Sequence, residues 1–168
     1  MSTPFDSLPD HSRIWIYQSD RKFNSHDINI ISEVLSAFTN EWNAHNIALR
    51  SSFEIRFNQF IIIAADENQQ SASGCSIDDS VRVIKNLSQK LGVDFFNRKQ
   101  IAFLKDDEVI IVPIEDLKKQ YDLDTWNERS LVFNNLAADK GQLKSAWIVP
   151  AESSWLKRYL PREQLRVK

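Results

Sequence analysis
Hydrophobic positions recur along the chain with two spacings, and the switches between them predict its elements. Arg13-Ile14-Trp15-Ile16-Tyr17-Gln18 is dense in β-branched and aromatic residues and reads as a strand. Ser25 or Asp27 then offers an N-cap, followed by Ile28, Ile31, Leu35, Phe38 and Trp42 at spacings of three and four. That is one face of an amphipathic helix of about four turns. His45-Asn46 stands where this helix should stop, because Asn tolerates the left-handed conformation that ends many helices. Phe53, Ile55 and Phe57 alternate with Glu54, Arg56 and Asn58, whereas residues 60–66 are almost continuously apolar. With Asn58-Gln59 as a two-residue turn, Phe57 faces Phe60 and Ile55 faces Ile62, giving a hairpin packed on one side. Asp78 or Ser76 can cap a second helix with Val81, Ile84, Leu87 and Leu91 on its buried stripe, and Gly92 is placed to end it. Residues 100–104 and 108–112 predict another hairpin, turning at Asp106-Asp107. Pro113 then opens a short helix through Leu117 and Tyr121. The tail predicts a strand near Leu131 and two short helices, near residues 140–147 and 154–160.

The resulting order, β-α-β-β-α-β-β-α, suits an α+β fold: a single domain with an antiparallel or mixed sheet of about five strands and helices packed on it. Residues 1–12 read as a flexible N-terminal lead and 13–168 as the domain. The 168 residues are enough for one core and too few for two full-sized domains. With 21 basic and 23 acidic side chains the formal charge is −2, which provides no global pull toward nucleic acid or an anionic membrane. Residues 1–13 hold no apolar run of the kind a signal peptide needs, and the longest apolar run, 60–65, falls far short of the roughly 20 residues of a spanning helix. One cysteine, Cys75, makes neither an internal disulfide nor a thiolate zinc cage. The expectation is a cytoplasmic protein without a membrane segment.

Two stretches carry candidate chemistry. Residues 61–67 form an apolar strand ending in Asp66 and Glu67, the arrangement in which one carboxylate holds magnesium and the next polarises water. That chemistry needs a glycine-rich phosphate loop. Gly74, Gly92 and Gly141 are the only glycines, and none precedes a lysine. The second stretch, Ser71 to Asp78, places small residues before a predicted helix. Unpaired amides there favour an anion and lower a cysteine's pKa. The same residues also read as a cap and a turn around a small buried cysteine, with Asp78 satisfying the amides. No metal site is expected: His26 and His45 stand at opposite ends of one predicted helix, about 28 Å apart. Arg50, Ser52, Glu54 and Arg56 alternate on one face of a strand and read as a solvated sheet face. The tail interleaves Lys144, Lys157, Arg158, Arg162, Arg166 and Lys168 with Trp147, Trp155 and Tyr159. Such a mixture suits single-stranded nucleic acid, but the overall charge argues against that partner.

The strings Trp15-Ile16-Tyr17-Gln18-Ser19-Asp20-Arg21, Phe53-Glu54-Ile55-Arg56-Phe57, Ser73-Gly74-Cys75-Ser76-Ile77-Asp78 and Asp94-Phe95-Phe96-Asn97-Arg98 resemble a family of uncharacterised bacterial proteins often labelled ABC transporter ATPase. The resemblance runs from about Arg13 to the region of Trp155, and it implies no established activity. An ABC ATPase needs a P-loop and an L-S-G-G-Q signature, and the chain has neither. The residues therefore point to a non-catalytic ligand-binding or interaction domain whose site is Ser73, Gly74, Cys75, Ser76 and Asp78. Its partner would be an unidentified small molecule or protein, and no cofactor is assigned. Two alternatives stay open: an enzyme using Cys75, Asp66 or Glu67, and the ATPase of the family label.

Overall fold
The computed structural model describes residues 3–161. In chain order its elements are β1 (Arg13–Gln18), α1 (Ser25–Glu41), β2 (Asn43–Ala44), β3 (Ile47–Ala48), β4 (Arg50–Arg56), β5 (Phe60–Asp66), α2 (Gly74–Leu91), β6 (Gln100–Lys105), β7 (Glu108–Pro113), α3 (Leu117–Asp122), β8 (Leu131–Phe133), α4 (Lys140–Ala146) and β9 (Ile148–Pro150), with short 3₁₀ turns between some of them. The fold is a single α+β domain. The expected sheet of about five strands is divided into a sheet β1-β5-β4, a sheet β7-β6-β8-β9 and the small β2-β3 hairpin, all antiparallel.

The apolar faces explain the division. β5 is central in its sheet and buried along its whole length, so its sequence is continuous rather than alternating. Its odd positions, Ile61, Ile63 and Ala65, pack with Ile31 and Leu35 of α1 and Ile84 and Leu87 of α2. Its even positions, Phe60, Ile62 and Ala64, pack with Ala102, Phe133 and Trp147. The other face of the second sheet, Ile101, Phe103, Val112 and Val132, is covered by Leu117, Trp126 and Leu156. The layers therefore run helix pair, sheet, sheet, and then α3 with the C-terminal 3₁₀ turns. A single sheet covered on one side would leave the even positions of β5 in water, at about 25 cal/mol per Å² of apolar surface.

Several boundaries differ from the sequence reading. Asn24, not Ser25 or Asp27, is the N-cap of α1, and Asp27 closes the capping box by accepting from the Asn24 N–H. The helix stops at Glu41. His45 and Asn46 do adopt positive φ, 52° and 64°, but as the turn of the β2-β3 hairpin. The first large hairpin pairs Ile55 with Ile61 and Arg56 with Phe60, one residue away from the expected register. Phe57 and Asn58 take φ of 55° and 51°, and Phe57 is turned into the aromatic cluster of Phe60, Phe133 and Trp147. Residues 3–12, expected to be a flexible lead, are packed. Phe5 and Leu8 are buried, and the buried ammonium of Lys140 donates to their carbonyl oxygens at 3.0 and 2.7 Å. The Asp106-Asp107 turn and the left-handed Gly92 stop of α2 are as expected.

Candidate functional site
Residues 73–78, the site suggested by the sequence, belong to the first turn of α2 rather than to a loop before it. Ser73 is the N-cap. Its hydroxyl accepts from the Ser76 N–H at 3.1 Å, and the Ser76 hydroxyl accepts from the Ser73 N–H at 2.7 Å. The two serines thus satisfy amides that an anion would otherwise contact. Ser76 is buried, and its carbonyl accepts from the Trp42 indole at 2.8 Å, which fixes the end of α1 against the start of α2. Gly74 has open space where a Cβ would stand, while Cys75 and Asp78 are exposed. The packed-cysteine reading is thereby corrected: Cys75 lies on the outward side of the turn.

The carboxylates after β5 are also engaged. Asp66 is 8% exposed and accepts from Arg50 at 3.2 Å and from the Asn68 N–H at 3.0 Å, with His11 Nε2 at 3.6 Å. Glu67 accepts from the Ala72 N–H at 2.7 Å and shapes the approach to α2. Among the described residues no group of three or more His, Cys, Asp or Glu side chains is placed to hold a metal ion. On β4, Ser52 is buried, and Glu54 pairs with Arg56 at 2.9 Å. Of the basic tail, Arg162, Arg166 and Lys168 lie outside the described residues.

A different region gathers unengaged polar groups. β1 is an edge strand. Its free side, the 95–98 segment before β6 and the 133–138 segment after β8 enclose a cleft of about 840 Å³. Along β1 the cleft is tied at two places. The Ile14 N–H donates to the Ala138 carbonyl at 3.0 Å, and Gln18 Nε2 donates to the Gln100 carbonyl at 2.9 Å. Gln18 belongs to a chain of amides. Trp147 Nε1 donates to Asn135 Oδ1 at 3.0 Å, and Asn135 Nδ2 donates to Gln18 Oε1 at 2.9 Å. An indole N–H only donates and a carbonyl only accepts, so the two ends of this relay determine both amide orientations. Asn97 Oδ1 accepts from the Lys99 N–H, and Asn134 Oδ1 accepts from the Leu136 N–H. Four amide oxygens of the lining are thus committed to the protein, while the nitrogens of Gln18, Asn97 and Asn135 keep hydrogens to donate.

The charges have the same bias. Arg13, Lys85 and Arg98 line the cleft, and among the described residues no aspartate or glutamate does. None of the three cations makes an ion pair with a described residue. The Arg13 guanidinium lies 4.9 Å from the centre of the Trp15 ring. Tyr17 faces Phe96 edge to face at 5.9 Å. Burial raises the Tyr17 phenol above its usual range, a smaller opposing pull coming from Ser80, so it stays protonated at neutral pH. A concave wall of one sign focuses potential on whatever enters it.

No family model, no curated protein and no solved structure matches the chain. No described helix is long and apolar enough to cross a membrane. The residues of the cleft did appear in the sequence reading, since two of the family-like strings, 15–21 and 94–98, meet there. Their convergence with Lys85 and residues 133–138 had no sequence signal, because the segments are joined only by the packing of two sheets.

Proposed function
We propose that the protein binds a small anionic ligand, without itself being a catalyst, in the cleft between β1, residues 95–98 and residues 133–138. The observation that supports this reading is the bias of the lining: among the described residues, three cations without an ion pair, no carboxylate, and amide side chains whose oxygens are already engaged. The volume of about 840 Å³ lies within the roughly 300–1,000 Å³ of small-molecule sites. Cations on a water-facing wall repel one another, and an anion relieves that repulsion while satisfying the spare N–H groups. This reading differs from the sequence expectation at residues 73–78, where the hydroxyls of Ser73 and Ser76 are engaged with each other's backbone.

The test is titration of the folded protein with inorganic pyrophosphate, followed by amide chemical shifts. Shifts should concentrate at residues 13–18, 95–98 and 133–138. The variant Lys85→Gln/Arg98→Gln should bind about tenfold or more weakly, with a shallower salt dependence. Equal affinity in wild type and variant would refute the cleft as the site.

A further inference from the structure
We infer that the ligand of this cleft is an anion carrying a planar aromatic ring. This rests on the reading of the cleft as an anion site and adds what the rest of its wall selects. Among the described residues, six large hydrophobic side chains are exposed, and three of them, Phe96, Leu136 and Trp155, line this one cleft. Phe96 and Trp155, 41% and 38% exposed, are the two aromatic members of that set. Leaving such surface in water is unfavourable unless something covers it, and a concentration at one cavity marks a binding surface. Phe96 packs edge to face with Tyr17, and Arg98 lines the same cleft.

Aliphatic carboxylates and inorganic ions would use the cations and leave the rings in water. A ring-bearing anion uses both, since a flat π-system stacks on Phe96 while its charge meets Arg98, Lys85 or Arg13; the Trp155 ring already carries Arg158 at 5.6 Å and Tyr159 at 5.8 Å. The two ties from β1, at Ile14–Ala138 and at Gln18–Gln100, close the cleft along the strand. The volume of about 840 Å³ suits a discrete small molecule. Its charged group is a phosphate or a carboxylate, since both accept from arginine, lysine and amide N–H donors.

The experiment compares four probes on the full chain by calorimetry and amide chemical shifts: pyrophosphate, adenosine, adenosine 5′-monophosphate and 1-naphthoate. At least one ring-bearing anion should bind about tenfold or more tightly than both pyrophosphate and adenosine. Phe96→Leu keeps apolar bulk and removes the ring, and it should lower the affinity for the ring-bearing anion more than that for pyrophosphate, which erases the advantage. A preference for the monophosphate assigns phosphate as the charged group, and a preference for naphthoate assigns carboxylate. If neither ring-bearing anion binds more tightly than pyrophosphate, or if Phe96→Leu changes nothing, the aromatic inference is overturned and the anion cleft stands. If no probe shifts the cleft resonances, the anion cleft itself is overturned.

Discussion
At the start of α2, two serines commit their hydroxyls to each other's backbone; beside β1, four amides commit their oxygens to the protein, and three of them, Gln18, Asn97 and Asn135, keep N–H groups to donate. The first region has the residue types that attract a functional reading: serine, glycine and a lone cysteine on a helix N-terminus. Its hydrogen bonds, however, close on themselves. The second is built from glutamine, asparagine, arginine and lysine, residues common on any surface. They line one cleft. The two regions thus differ less in residue type than in whether a group's hydrogen-bonding capacity has already been used.

The comparison can be broken most forcefully at Trp147, the buried donor that begins the amide relay. Trp147→Ala should destabilise the fold by about 3–5 kcal/mol in urea unfolding, because it opens a cavity among Phe57, Phe60 and Phe133. Trp147→Phe should cost less stability, yet it removes the donor that orients Asn135 and Gln18. Its pyrophosphate affinity should fall, and an unchanged affinity would show that the relay does not set the cleft.

The C-terminal end of α2 offers the next largest effect. Arg21 joins that end to the start of α1, donating to the Leu91 carbonyl at 2.7 Å and to Asp27 at 2.7 Å. Asp27→Asn should cost about 1.5–3 kcal/mol, as expected for a hydrogen bond to a charged group. The Arg21 bond, the largest cause, holds the Asp27 carboxyl below the usual carboxylate range. A depressed folded pKa contributes stability that is fully present above the unfolded value of about 3.9 and is lost as pH falls through the folded value. The wild type should therefore lose stability more steeply than Asp27→Asn below about pH 4.

Smaller effects separate the helix start from the cleft. Ser73→Ala removes the N-cap and should cost about 1 kcal/mol by thermal unfolding while leaving pyrophosphate binding unchanged. A tenfold loss of binding in that variant would return the site to α2. Cys75→Ser should change stability by less than about 0.5 kcal/mol, since the side chain is exposed. Alkylation of Cys75 should accordingly proceed in the folded protein, and protection until unfolding would contradict its outward placement.

What was legible in the sequence followed from local physics. The stripes of α1 and α2, the Gly92 stop, the Asp106-Asp107 turn and the strand character of residues 13–18 and 60–66 all depend on neighbours within a few positions. The misreadings involve choices among equivalent local solutions. Asn24 and Ser73 won the caps because their N3 partners, Asp27 and Ser76, completed reciprocal boxes. The hairpin register moved by one because Phe57 gained the Phe60–Phe133–Trp147 cluster, whose members come from distant segments. The lead looked polar and unattached, and only Lys140, more than 130 positions away, shows what holds Phe5 and Leu8.

The sequence by itself determined the α+β class, the principal helices and strands and the one-domain scale, because periodicity, caps and turns act over short distances. Tertiary structure alone decided that the strands divide into two stacked sheets, since the two apolar faces of β5 do not name their partners. It also decided where the donors gather. Gln18, the Asn97-Arg98 pair and Asn135 lie far apart along the chain and line one cleft only because the edge of one sheet is packed against the other.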